Sequence, residues 1–202
     1  NWLSMTAGQL GKVGKDLMLL SQNEINEISI SNPGKSSTMP NKKNPVLFET
    51  LVSLAAFCRN NADLIEQTAL TSHERDGVCM QIERLALPPL ICAASASIVR
   101  ASDCLKNMSV NMDAIQKNVT ADRGLIMAEG AVFALMNFTT REEAATLVSQ
   151  ACKSCVANKS HMIDELKSLS NFDLDWDSLK DIKNHLGDAQ QIVEEVVHKH
   201  HN

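Results

Sequence analysis

Apolar residues recur along the first twenty positions with the spacing of a helical seam. Leu3, Leu10, Val13, Leu17 and Leu20 are separated by seven, three, four and three residues. A stripe of that period is a coiled-coil-like seam. The pattern returns at Leu47, Leu51, Leu54, Cys58 and Ile65, and again at Ile91, Ala94, Ile98, Ala101 and Leu105. It predicts helices over about 2–28, 46–67 and 82–106, the last bent at Pro88-Pro89. Seams on helices this long need partners along their whole length, so further helices are expected from elsewhere in the protein or from other subunits. Gly8, Gly11 and Gly14 interrupt the first helix, each costing roughly 1 kcal/mol relative to Ala. They mark either close approach to a neighbouring helix or local flexibility.

Composition agrees. Aromatics are 3% with no Tyr, so the core is aliphatic, which suits packed helices better than sheets. A hydrophobic share of 44% against 21% charged residues fits a globular chain. The net charge of -5 excludes a generally basic, nucleic-acid-coating protein. Anionic small molecules remain open to a local basic loop. No apolar run approaches the 18 or so residues that a membrane span needs, and no signal peptide is visible. The six cysteines (58, 79, 92, 104, 152 and 155) sit mostly in helical apolar patterns, as reduced residues would. The chain is read as cytoplasmic. It opens at Asn1 inside a helical pattern, which is read as part of something longer. After about Met112 the pattern shortens, with helices expected at 122–136, 141–169 and 190–198 and a turn-rich stretch at 171–187. The expected organisation is all-α. A long-helix bundle over 1–112 carries a polar loop at 29–45, and a smaller helical domain follows over 113–202.

The loop carries the chemistry. Gly34-Lys35-Ser36-Ser37-Thr38-Met39-Pro40-Asn41-Lys42-Lys43-Asn44-Pro45 offers hydroxyls, ammonium groups and backbone N–H groups. It leads into a helix that Pro45 can start, because its missing N–H costs nothing in a first turn. A helix N-terminus carries about half a positive charge and unpaired donors. That combination suits carboxylate binding and stabilisation of a developing anion. A solvated basic loop between two helices is the plain alternative.

Ser-Ser-Thr-Met-Pro-Asn-Lys-Lys-Asn-Pro resembles the signature loop of the fumarase/aspartase superfamily, usually Gly-Ser-Ser-x-Met-Pro-x-Lys-x-Asn-Pro. The resemblance extends to Leu10–Glu27 before the loop, Glu49 after it, Ala121–Ala134, and Leu186-Gly187-Asp188-Ala189. It covers nearly the whole chain, as the second half of a family subunit, and implies the family's long-helix bundle with a small C-terminal helical domain. Glu74-Arg75-Asp76 and Glu83-Arg84 are similar to two branches, the 3-carboxy-cis,cis-muconate cycloisomerases and the adenylosuccinate lyases. The second branch usually has serines where Val78 and Met80 stand. The Ser-Ser-Thr-Met-Pro form and Gly124–Glu129 resemble the first more closely.

The resemblance implies that Ser36 is the catalytic base. Lys42 and Asn44 would hold substrate carboxylates, with Ser37, Thr38 and Met39 also on the substrate. His73 and Arg75 are candidates for substrate-side contacts. A serine hydroxyl is a poor base unless its alkoxide is stabilised. Loop N–H groups, Lys42 and the following helix N-terminus would supply that. The chemistry implied moves a proton on carbon next to a carboxylate. In a cycloisomerase, a carboxylate oxygen also adds across a C=C bond to give a lactone, a step of protocatechuate/β-ketoadipate catabolism. No metal or organic cofactor is implied. The substrate would be a small polycarboxylate, and the assembly a homotetramer with sites built from several subunits. This chain by itself is then expected to be inactive. Neither nucleic acid nor membrane is an expected partner.

Two positions depart from the family pattern. Lys35 replaces the glycine before Ser36, stiffening a hinge. Asn41 replaces a His, keeping a hydrogen bond without titration near neutrality. These keep a non-catalytic scaffold on the same fold, analogous to the lens crystallins of this superfamily, as an alternative to an enzyme. A generic helical oligomerisation module is a third reading. Cys152-x-x-Cys155 lies in a helical pattern with no second pair and reads as structural. His198, His200 and His201 read as a frayed tail.

Overall fold

The computed structural model describes residues 1–30, 34–35 and 43–201. The described chain divides into two compact units, Asn1–Ile115 and Gln116–Asn202.

In the first unit, α1 (Trp2–Leu20), α2 (Val46–Glu66) and α3 (Gly77–Asn107) pack side by side. Gly11 and Gly14 are buried where α1 meets α2. A Cβ on Gly14 would lie 2.8 Å from the Leu51 Cβ and 2.9 Å from the Phe48 carbonyl oxygen, and one on Gly11 would overlap that of Ala55. Close approach is therefore the reason for these two glycines. Nothing lies within 4 Å of the corresponding point on Gly8.

The sequence predicts α1 running to about residue 28, but it stops at Leu20. The Ser21 hydroxyl donates to the Met18 carbonyl at 2.9 Å, and Asn26 adopts a left-handed φ of 52°. Short polar side chains that bond the local backbone compete with the helix here. The chain is then extended as β1 (Ile28–Ile30), which pairs antiparallel with β4 (Met108–Val110) after α3. Ile28 is buried beside Leu17, Phe48, Leu51, Ala101 and Cys104. A three-residue ladder is too short to show in sequence periodicity.

α3 runs unbroken through Pro88 and Pro89. Its buried side is made of small residues (Ala86, Ala93, Ala94, Ser97, Ala101 and Cys104) together with Cys79 and Leu90. The larger members of the predicted seam lie outside it: Ile91, Ile98 and Leu105 are 46%, 55% and 58% exposed. Only Ala94 and Ala101 of that seam are buried in this chain. Averaged over an 18-residue window, α3 has a mean hydropathy of 1.4 and is long and apolar enough to cross a membrane by length and composition. The expectation that no segment would qualify is corrected. Alanines between the aliphatic residues keep the window apolar without an unbroken aliphatic run. Its small-residue face packs on α1 and α2.

The second unit begins within α4 (Met112–Ala121), a helix that the sequence reading omits. A 3₁₀ turn (Leu125–Met127) leads into α5 (Ala128–Leu135). The single helix expected over 141–169 is two, α6 (Arg141–Asn158) and α7 (Met162–Leu169). Lys159 takes a left-handed φ of 56° and ends α6, so the chain turns at Ser160. α6 opens with a capping box between Thr140 and Glu143. Ala131, Leu135, Ala144, Val148, Ala151, Cys155, Met162, Ile163 and Leu166 form the core. The short α8 (Trp176–Lys180) and a 3₁₀ turn (Ile182–His185) precede α9 (Ala189–His201).

Candidate active site

The predicted catalytic serine and most of its companions (Ser36, Ser37, Thr38, Met39, Asn41 and Lys42) lie outside the described residues. The two roots of that segment are described. β2 (Gly34–Lys35) pairs antiparallel with β3 (Lys43–Asn44), setting Gly34 opposite Asn44 and Lys35 opposite Lys43. The ladder holds the two ends of 36–42 together. β3 then passes through Pro45 directly into α2. Pro45 occupies the position just before the helix, where its carbonyl accepts the N–H groups of Phe48 at 2.9 Å and Glu49 at 3.0 Å. The half-buried Asn44 is thus held two residues from the positive end of a 21-residue helix. That helix end is anchored by Phe48 and Leu51, both fully buried. A carboxylate presented at Asn44 meets a rigid, favourable dipole.

His73 and Arg75 lie elsewhere. The chain leaves α2 through a 3₁₀ turn (Gln67–Ala69) and a polar segment that ends at Asp76, the N-cap of α3. The segment is tied to the C-terminal end of α2. The Thr68 hydroxyl reaches the Ile65 carbonyl at 2.7 Å and the Glu83 carboxylate at 3.4 Å, and the Cys79 thiol lies 3.9 Å from the Leu70 carbonyl. Twenty-one residues rising 1.5 Å each separate the two helix ends by about 31 Å. Asn44 and the His73–Arg75 pair therefore cannot touch one small substrate within a single copy of the chain.

The 72–76 turn is strained and braced. His73 and Arg75 have left-handed φ values of 56° and 60°. Such a conformation costs a non-glycine residue roughly 1–2 kcal/mol. The Asp76 carboxylate compensates by accepting N–H groups from Ser72 at 2.9 Å, Val78 at 2.8 Å and Cys79 at 3.3 Å. The Ser72 bond, followed by those from Val78 and Cys79, holds its pKa below the ordinary carboxylate value. Burial, then the charge of Asp76, pushes the Cys79 thiol up. His73, Glu74 and Arg75 are exposed on this braced turn. The bracing role of Asp76 is missed in the sequence reading, which treats it only as the third residue of Glu-Arg-Asp. An Asp directly before an apolar helical run was the available signal. Glu83, a motif residue, is engaged by Thr68 in the tie between α2 and α3.

The Cys155 thiol donates to the Ser160 carbonyl at 3.1 Å and is buried, and burial raises the pKa of both Cys152 and Cys155. Among the described residues, no group of three or more His, Cys, Asp or Glu side chains is placed to hold a metal ion.

Comparison with known proteins supplies the family. Residues 1–58 match a family described as "Lyase", and residues 124–196 match the adenylosuccinate lyase C-terminus. A 3-carboxy-cis,cis-muconate cycloisomerase of Acinetobacter baylyi is 31% identical over 96% of this chain and 45% of its own length. An N-acetyl-S-(2-succino)cysteine lyase of Dickeya dadantii is 32% identical over 96% of this chain and 44% of its own. The crystal structure of the 3-carboxy-cis,cis-muconate lactonizing enzyme from Pseudomonas putida superposes with a TM-score of 0.82 at 28% identity, covering 98% of this chain and 45% of that one. The chain thus spans less than half the length of these relatives. With the signature segment bracketed by β2 and β3 at the head of α2, the chain is similar along nearly its whole length to the C-terminal half of lyases and cycloisomerases of the fumarase/aspartase superfamily.

Proposed function

We propose that this chain supplies the signature-loop part of a 3-carboxy-cis,cis-muconate cycloisomerase-like site, with Ser36 as the proton-transferring group. In the ring-opening direction, a Ser36 alkoxide takes the proton from carbon next to a substrate carboxylate. The electron pair forms the C=C bond as the lactone C–O bond breaks and the carboxylate leaves. In lactonisation the same atoms run backwards: the carboxylate oxygen adds to the double bond and the Ser36 hydroxyl returns the proton. Lys42 and Asn44 hold the neighbouring carboxylates, Ser37, Thr38 and Met39 line the substrate, and the α2 N-terminus stabilises the charge that develops. No metal or organic cofactor takes part.

The observation that carries this reading is the ladder joining Gly34–Lys35 to Lys43–Asn44 at the head of α2. The separation along α2 adds to it. His73 and Arg75 serve a site other than the one that their own Asn44 serves, so several copies must combine. A homotetramer with sites between subunits, working on a small polycarboxylate in the cytoplasm, satisfies this. The exposed Ile91, Ile98 and Leu105 of α3 supply apolar surface for such an assembly. Residues 1–112 form the bundle part with the loop, and 113–202 the small C-terminal domain. Neither nucleic acid nor membrane is a partner in this reading.

The test is turnover of 3-carboxymuconate and of adenylosuccinate by the protein purified from its source, beside a Ser36→Ala variant. Conversion of the first substrate, lost in the variant, is the expected result. Adenylosuccinate cleavage would support the second reading, which the match at 124–196 favours and the apolar Val78 and Met80 oppose. Activity on neither leaves a helical scaffold, in keeping with Lys35 and Asn41. The 202-residue chain alone is expected to be inactive.

A further inference from the structure

In the second unit, the imidazole of His161 packs against Gly124. A Cβ on Gly124 would fall 2.6 Å from the imidazole Nε2 and would overlap Cε1. Gly124 also has a φ of +84°, so both room for the ring and the backbone conformation require glycine here. His161 is the N-cap of α7, and its Nδ1 accepts the Ile163 N–H at 3.3 Å. The adjacent Met162 N–H donates to the Arg123 carbonyl at 2.9 Å. The Asp122 carboxylate accepts from the Gly124 N–H at 3.0 Å and the Ile126 N–H at 2.7 Å. One imidazole therefore joins the α6–α7 corner to the turn before α5.

We propose that His161 is a pH-sensitive latch, which holds the α6–α7 corner against the Asp122–Gly124 turn while its ring is neutral and releases it when Nδ1 is protonated.

An Nδ1 that accepts a hydrogen bond cannot carry a proton, and a protonated ring would aim an N–H at the Ile163 N–H. The ring also sits at the positive end of α7. Two acids lie near enough to favour protonation, Asp164 and Asp122. Both are engaged: Lys180 from α8 grips Asp164 at 2.7 and 2.9 Å, and Asp122 caps the turn. Burial, then the Lys180 charge, lowers the pKa of His161. The other charges nearest in the chain are Arg123, Lys159 and Glu165, whose carboxylate accepts from Ser160 and Asn158; Lys167 lies farther along α7, Glu129 on α5, Lys153 on α6 and Asp177 on α8. The folded pKa lies below the unfolded value of 6.5. The latch is therefore closed above 6.5 and is lost as pH falls through the folded value.

The experiment is an NMR titration of the full chain, following the His161 ring and the assigned Ile163 amide, with His161→Asn and Lys180→Gln variants. The expected result is a His161 midpoint below 6.5 at which the Ile163 amide shifts. That shift should be absent in H161N, because Asn caps a helix without titrating. In K180Q the midpoint should rise toward the ordinary value, since Asp164 is freed to face the ring. A wild-type midpoint at or above 6.5, or an Ile163 amide that does not follow the His161 titration, overturns the proposal. The wild-type measurement decides even if a variant fails to fold.

Discussion

Replacing Gly11 by Ala tests the packing of the first unit most directly. In an exposed helix, Gly→Ala stabilises by about 1 kcal/mol through helix propensity. At Gly11 the added Cβ overlaps that of Ala55, and both atoms are fixed to backbone, so neither can rotate away. α1 and α2 must separate, and overpacking of this kind costs about 1–3 kcal/mol. With the clash at the upper end of that range, the net loss is about 2 kcal/mol. Gly8→Ala is the internal control. Nothing lies within 4 Å of its Cβ position, so it should stabilise by up to about 1 kcal/mol. Ala55→Gly combined with Gly11→Ala moves the methyl from one helix to the other. Propensity cancels, the overlap goes, and the double variant should lie within about 1 kcal/mol of the starting chain, a coupling of about 2 kcal/mol or more. Urea unfolding followed by circular dichroism gives the stabilities, and native-state exchange of α1 amides isolates this unit. If Gly11→Ala stabilises as much as Gly8→Ala does, or if the two substitutions simply add, close approach is not why the glycine is there.

Phe48 is fully buried at the head of α2, and truncation to Ala should cost about 3–5 kcal/mol, read as lost protection of α2 amides in hydrogen exchange. Thr140→Ala removes the capping box of α6 and should cost about 1 kcal/mol, with early exchange confined to the first turn of that helix. Asp76 has a folded pKa below its ordinary value of 3.8, so the stability it lends is present above that value and lost as pH falls through the folded one. Exchange of the Ser72, Val78 and Cys79 amides should accelerate over the same acid range, and Asp76→Asn should abolish that pH dependence.

How much of the fold is legible in the sequence follows from the range of the forces involved. The second-helix seam from Leu51 to Cys58 was legible, because a helix that buries one side must repeat its apolar residues along it. The signature segment was legible for a different reason: several fixed residue types within ten positions carry chemistry whatever surrounds them. The stop at Leu20 was harder to see. Ser21 and Asn26 end the helix by local bonds that compete only slightly with helix continuation, and Ile28 contributes by pairing with Val110, some eighty residues away. The break between α6 and α7 rests on one left-handed residue, Lys159, whose side chain carries no such signal.

The amino-acid order alone determined that the chain is helical, because its only large reserve of burial is aliphatic and periodic, and that a hydroxyl- and lysine-rich loop precedes a helix start. Tertiary structure decided what periodicity cannot express. It selected close contact as the role of Gly11 and Gly14, and it turned the small residues of α3 inward while leaving Ile91, Ile98 and Leu105 outside. It also set Asn44 and Arg75 at opposite ends of one rigid helix. The reason is geometric: sequence spacing specifies which residues share a side of a helix, but only packing against a second helix decides which side is covered, and only a helix's length decides which of its ends can reach the same molecule.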